Sequence, residues 1–328
     1  MNRDRVVGNQ SGLALVLTLL TISFLVAVTV QLMITIDRQI AVSTAQREQV
    51  RLDGMVLAGL HLVRAALMAD QKENTHDSNH DAWATLDSDR LRPLTGEVAL
   101  KVATTELGGR LQVNALGNTA KDAYRQIWLR LLLSGRFAVD GVDEAEDLLD
   151  ALADWIDQDD EERHGGAEEG YYRGRTPPYA CRNGPVTTLE ELLLVKGMTP
   201  ELLFGGTGYE GLADYITVMG NTGVINLNTA PLPVLQALSP DMTAKLAQEL
   251  IDFREDPRHA KLLASTGWYR EVSGFPAAIE FSNSLLTVAG KYFEVRITAA
   301  ANQYSRTGTG ILLRDDQQRQ TLLSWKLE

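Results

Sequence analysis

Residues 13–36, LALVLTLLTISFLVAVTVQLMITI, carry no charged side chain over 24 positions. As a helix at ~1.5 Å per residue the run is roughly 36 Å long, enough to cross a hydrocarbon core of ~30 Å. The residues before it, MNRDRVVGNQSG, hold Arg3 and Arg5. Basic residues there favour a cytoplasmic N-terminus, with everything after the span on the far side of the membrane. A secretory signal peptide has a shorter apolar region that ends in small residues. This run ends Thr35-Ile36-Asp37-Arg38. Two readings fit it: a plain signal anchor, or a short basic leader ending in glycine and cut ahead of the apolar run, between Gly12 and Leu13.

The chain stays helical beyond the span. Residues 37–69 contain no proline and are rich in Ala, Gln, Arg, Glu and Leu. Val56, Leu60, Val63 and Leu67 recur at the spacing of one helix face. A single helix from 13 to about 68 is expected, half in lipid and half packed on a head. Gly54 and Gly59 weaken it as helix formers and suggest close packing against a sheet. The polar run 70–81, DQKENTHDSNHD, reads as an exposed loop. His76 and His80 with Asp77 and Asp81 have metal-like spacing, but loop formers surround them, and a solvated loop is the expected state.

Strand-like alternation follows at 98–104 and 109–116, and again at 292–300, 310–314 and 320–326, with a glycine turn at 305–310. Residues 119–286 are dominated by helical sequence. Neither group of strands makes a stable sheet alone. Joined as one antiparallel sheet on the long helix, they leave the helical block as an insertion between neighbouring strands, at the kind of exposed connection that tolerates one.

The 328 residues carry a net charge of −12 and one cysteine, Cys181, which excludes an internal disulfide and a Cys-rich zinc module. An acidic chain disfavours nonspecific nucleic-acid binding. The charge is concentrated. Residues 140–169 hold 14 acids and a single Arg, so the other residues are close to neutral. Clustered carboxylates repel unless a cation screens them, and calcium, with six to eight oxygen ligands in a flexible shell, suits such a loop. Against an EF-hand register Asp157, Asp159, Glu161 and Glu168 fall at positions 1, 3, 5 and 12, but Glu162 stands where the turn glycine belongs. A solvated acidic loop is the alternative. A glycosidase-type carboxylate pair lacks aromatic sugar platforms, and the five histidines have no matched partners in sequence, so no enzymatic activity is expected. Residues 189–203 (hairpin at Lys196-Gly197) and 225–238 with its continuation resemble helix-hairpin-helix units. In the second, Ser239-Pro240-Asp241 replaces the glycine hairpin and presents the wrong charge to a phosphate. Asn226, Asn228 and Thr229 read as caps and turns. A membrane-anchored helix-hairpin-helix DNA-binding protein of a competence-like system is the alternative function.

Several motifs in order resemble the K-type minor pseudopilins of bacterial type II secretion (the GspK family): GLALVLTLL after the leader, a Trp such as Trp83 before the first strands, GGRLQVNAL, DWIDQDDEERHGGAEEGYY, RTPPYACRNGPVTTLEELLLVKGMTPEL, INLNTAPLPVL and YFEVRITA. The resemblance implies an α+β, type IV pilin-like fold with a large all-helical domain inserted between strands. It divides the chain into a leader (1–12), an N-terminal helix (13–69), a first sheet part (70–118), the inserted domain (119–286) and a second sheet part (287–328). It implies cleavage after Gly12 by the prepilin peptidase and N-methylation of Leu13, though Phe or Met is more usual at that place. It also implies an inner-membrane anchor and a periplasmic head. The expected partners are the I and J minor pseudopilins at the pseudopilus tip, with other secretion components, where the protein starts assembly and caps the filament. Most pilins carry Glu five residues after the cut; here that position is Leu17, as in the K-type family, and a subunit with no neighbour above has no partner for such a Glu. The resemblance implies calcium in the inserted domain, with Asp154, Asp157, Asp159, Glu168 and Glu169 matching its carboxylate pattern.

Overall fold

A computed structural model describes residues 10–86, 88–118, 122–315, 317 and 319–328. Arg3 and Arg5 of the expected leader, and Thr119 at the expected start of the inserted block, lie outside them.

Helix α1 runs unbroken over Gln10–Glu73, about 96 Å at 1.5 Å per residue. Its two halves meet different surroundings. Leucine and valine side chains from Leu13 to Leu32 are exposed, Leu13 at 67% and Leu25 at 62%. Further along, Leu52, Val56, Leu60, Val63 and Leu67 form one buried stripe. A short helix α2 (Ser88–Thr95) leads into strand β1 (Ala99–Glu106).

The chain then leaves the sheet. It forms β2 (Leu111–Gln112), α3 (Asp122–Leu132), α4 (Val142–Ile156), α5 (Glu169–Arg173), α6 (Pro200–Phe204), β3 (Ile216–Thr217), β4 (Ile225–Asn226), α7 (Leu232–Ala237), α8 (Ala244–Glu255) and β5 (Leu286–Thr287). It returns as β6 (Tyr292–Ala301), β7 (Tyr304–Arg314) and β8 (Gln320–Leu327). The four long strands make one antiparallel sheet in the order β1-β6-β7-β8. Glu106 pairs with Phe293, and the Leu107 amide donates to the Tyr292 carbonyl at 2.9 Å. The inserted block therefore leaves and re-enters at one point between two adjacent strands.

The described residues form two hydrophobic cores. Alternate residues of β6 (Phe293, Val295, Ile297 and Ala299) are buried against the α1 stripe, with Val102 and Leu312 beside them. Trp83 closes the end of this core, edge-on to Phe293 at 5.2 Å. The second core lies inside the insertion, built from α3, α4, α7, α8 and the turns between them. The insertion also carries two parallel ladders of two residues each, β2 with β3 and β4 with β5.

Several local expectations are corrected. Gly59 does pack on the sheet, where an added Cβ would meet Ile297 Cγ2 at 2.7 Å, but Gly54 faces open space. Residues 109–116 form only a two-residue strand followed by a 3-10 turn at Val113–Ala115. Leu111, Gln112, Val113 and Ala115 are all buried, so the alternation there does not mark a half-exposed strand. Residues 305–310 are strand, not turn; the reversal is at Asn302, whose φ is +53°. Gly308 and Gly310 are the apparent turn signal, but they leave room for Trp325, whose ring atoms would lie 2.4 and 2.7 Å from added Cβ atoms.

The run 70–81 is the largest correction. α1 extends to Glu73, and Asp70, Asp77, Ser78 and Asp81 are buried rather than solvated. Arg314 lies between Asp70 (3.3 Å) and Asp77 (2.6 Å to Oδ1) and over the Phe293 ring. Asp81 accepts from the Ser78 amide at 2.6 Å, and His80 Nε2 meets the Arg254 carbonyl at 2.7 Å.

The same region fastens the insertion to the pilin-like part. The Asp77 carbonyl accepts from Asn226 and Asn228 side chains. Glu106, 3% exposed at the end of β1, accepts from the Gly108 and Gly109 amides, Asn226 Nδ2 and Thr229 Oγ1. Asn228 is further held by the Leu263 carbonyl and the Trp268 indole. Asn226 still makes the expected local turn, accepting from the Asn228 amide. The bonds of Asn226, Asn228 and Thr229 to Asp77 and Glu106 are the long-range ties between the two parts, whereas Leu263 and Trp268 hold Asn228 within the insertion.

Candidate cation site in the inserted domain

Helix α4 ends where the acidic loop begins. Its apolar face, including Leu148, Leu149, Leu152 and Trp155, is buried in the insertion core, which fixes the last turn and carries Asp154 inward at 0% exposure. Asp154 is fully committed. Its Oδ2 accepts from the Arg163 and Ala167 amides at 3.2 and 2.9 Å, and its Oδ1 from the Arg163 guanidinium. The loop can fold over this carboxylate because residue 166 is glycine; a Cβ there would sit 1.8 Å from Asp154 Oδ2.

Asp157, just past the helix, shares the same guanidinium through Oδ2 at 2.6 Å, while its Oδ1 is buried without a hydrogen-bond partner among the described residues. Glu168, 4% exposed, has both oxygens in that condition. Asp159 is exposed; its Oδ1 caps the Glu161 amide at 3.0 Å. Carboxylate oxygens of Asp157, Asp159 and Glu168 all lie within 4.8 Å of one another. Burial, with the Asp154 charge behind it, pushes the Glu168 carboxyl up to about 7. Burial likewise raises Asp157. Three convergent carboxylates, one of them deeply buried and unpartnered, form an oxygen-only donor set that fits a hard cation such as calcium.

Three of the four acids in the EF-hand register thus meet; Glu161 stays outside the group. Of the five residues matched to the family pattern, Asp157, Asp159 and Glu168 converge, whereas Asp154 is turned to Arg163. Glu169 opens α5 and points away, to the Arg173 guanidinium (2.5 Å) and the Cys181 amide (2.7 Å). Two contributors were not singled out in the sequence. Arg163 was visible there as the lone base among 14 acids. Lys196, read as part of a DNA-type hairpin, instead donates to the Gly165 and Gly166 carbonyls at 3.1 and 2.9 Å and clamps the acidic loop. The elements flanking that lysine are a 3-10 turn (Leu189–Leu194) and the five-residue α6, so the first hairpin offers no phosphate-binding surface of the expected kind. Gly12, Leu13 and Leu17 lie on the exposed apolar half of α1. Asp70, Asp77 and Asp81 form a second carboxylate group, but Arg314 and local amides already occupy it.

A long helix with an exposed apolar half, its other half laid on an antiparallel sheet, defines a pilin-like protein; the helical insertion sets it apart from a plain one. Two successive family models match, both described as type II secretion system (T2SS), protein K, over residues 109–220 and 225–296. Type II secretion system protein K of Pseudomonas aeruginosa is 28% identical over 96% of this chain and 88% of the relative. The putative type II secretion system protein K of Escherichia coli K12 is 23% identical over 90% of this chain and 91% of its own. A chain in the crystal structure of the GspK-GspI-GspJ complex from the enterotoxigenic Escherichia coli type 2 secretion system shares the fold. Its TM-score is 0.62 at 18% identity, covering 87% of this chain and 99% of that one. The chain belongs to the type II secretion system protein K family, and its role is that of a minor pseudopilin.

Proposed function

We propose that this minor pseudopilin sits at the tip of a type II secretion pseudopilus, joined to I- and J-type minor pseudopilins, where it starts assembly and caps the filament during export across the outer membrane. The observation that carries this reading is the placement of the insertion. It is bulky, it is tied to the end of the sheet through Glu106, Asn226 and Asn228, and it belongs to the fold of a chain solved together with GspI and GspJ. The exposed apolar half of α1 supports a single inner-membrane span with the head in the periplasm. In this reading the prepilin peptidase cuts after Gly12 and methylates Leu13, and no catalytic activity is assigned. Asp157, Asp159 and Glu168 would hold calcium, which would neutralise carboxylates that otherwise repel one another.

The test is co-expression of the full chain with I- and J-type pseudopilins and a prepilin peptidase. A ternary complex that stays together through gel filtration, with the K chain beginning at Leu13, is expected. A K chain that elutes alone overturns the partner assignment, and one that still begins at Met1 overturns the processing site.

A further inference from the structure

The acidic loop contains its own cation. Arg163 Nη1 reaches both Asp154 Oδ1 and Asp157 Oδ2, and is the only guanidinium with an ion pair to either among the described residues. Asp157 therefore divides its carboxylate. One oxygen meets Arg163, and the other is buried without a hydrogen-bond partner among the described residues, as are both oxygens of Glu168; one carboxylate oxygen of each of Asp157, Asp159 and Glu168 lies within 4.8 Å of the others. The buried, unpartnered Glu168 marks that group as a ligand site rather than a chance cluster of acids.

We propose that Arg163 is a resident counter-cation that holds the loop together before a divalent cation arrives and lowers the affinity of the site for it. The inference rests on the calcium reading above and adds how tightly the ion is held. A cation held by Asp157 shares a carboxyl group with the guanidinium, so the two positive charges repel at short range inside a half-buried loop. Arg163 is not needed to shape the cradle. Asp154 Oδ2 is fixed by two backbone amides, Gly166 leaves it room, and Lys196 clamps the loop from the other side. Removing the charge while keeping the backbone should therefore strengthen cation binding. A residue that merely ordered the ligands would do the opposite.

The test is calcium titration of the full chain in detergent, by calorimetry and by melting temperature with and without chelator, for wild type, Arg163→Gln and Arg163→Lys. Arg163→Gln should melt lower than wild type in chelator yet bind calcium about tenfold more tightly, the short-range repulsion being reduced by partial solvent screening. Arg163→Lys, which keeps the charge, should bind with affinity close to wild type. If Arg163→Gln folds only when calcium is present, the counter-cation role is also supported. Equal or weaker binding by Arg163→Gln, or a variant unfolded with and without calcium, overturns the role of Arg163 and leaves the calcium site standing. A wild-type chain that binds no calcium overturns the site itself, and the inference with it.

Discussion

Replacing Glu106 by alanine should destabilise the protein, and by an amount that depends on pH. Its carboxylate accepts four hydrogen bonds: from the Gly108 amide (2.5 Å), the Gly109 amide (3.2 Å), Asn226 Nδ2 (3.1 Å) and Thr229 Oγ1 (2.5 Å). Alanine strands these donors at a buried junction. At about 1–3 kcal/mol for each buried donor left unmade, with relaxation and water recovering part, the loss is about 3–5 kcal/mol. Burial works against the charged form and outweighs those four bonds, raising the carboxyl from 4.5 to about 7. Between those two values the folded protein keeps a proton that the unfolded chain has released. The contribution of Glu106 is thus complete below pH 4.5 and falls by about 3 kcal/mol as pH rises past 7. Asp77, raised to about 6 chiefly by burial, is present in wild type and variant alike and largely cancels in the difference. Urea unfolding of the full chain in detergent at pH 5 and pH 8 measures this. Glu106→Ala should cost roughly 2–3 kcal/mol more at pH 5 than at pH 8. Glu106→Gln, which imitates the protonated group, should lose the roughly 2–3 kcal/mol of pH dependence that Glu106 contributes and keep the part due to Asp77. An alanine penalty equal at both pH values, or a glutamine variant that follows the wild-type slope, would refute the reasoning.

Three further outcomes follow from the same geometry. Arg314→Ala leaves Asp70 and Asp77 buried without their shared base and should cost about 3–5 kcal/mol in an unfolding titration. Gly166→Ala drives a Cβ into Asp154 Oδ2; a loss of about 2 kcal/mol is expected, with faster hydrogen exchange at the Arg163 and Ala167 amides. Chelation should lower the melting temperature by about 5 °C relative to calcium held a hundredfold above its Kd, and Glu168→Gln should remove most of that difference.

Those features of the fold that repeat along the chain were legible in the sequence. The α1 stripe of Val56, Leu60, Val63 and Leu67 shows because a helix places every third or fourth residue on one face, and these four are buried. The insertion shows because two strand groups, each too small alone, must pair across the block between them. The misreadings share a cause, which is that a local pattern can be answered by a distant residue. The glycines of β7 look like a turn until Trp325, from the next strand, fills the space above them. The run 70–81 looks solvated until Arg314, 237 residues beyond Asp77, neutralises it. The acid cluster at 157–168 was visible from composition and spacing, but the division of its members depends on which way each side chain turns. Asp154 is drawn to two loop amides and Glu169 to Arg173, and neither choice is written in the spacing.

The two buried acidic groups are informative when set against each other. Both bring three carboxylates within 4.8 Å. At the junction, Arg314 pairs with Asp70 and Asp77 at 7% side-chain exposure, and Asp81 is satisfied by a backbone amide. Every carboxylate there has a partner among the described residues. In the inserted domain one guanidinium serves Asp154 and Asp157, and nothing among the described residues serves Glu168. The deficit is one of positive charge, and it lies beside a side chain only 4% exposed. A buried carboxylate without a partner costs folding free energy unless a proton or a cation supplies the charge. The stability of the inserted domain is therefore tied to the cation it can recruit, while the junction that holds it to the helix and sheet depends on the protons of Glu106 and Asp77.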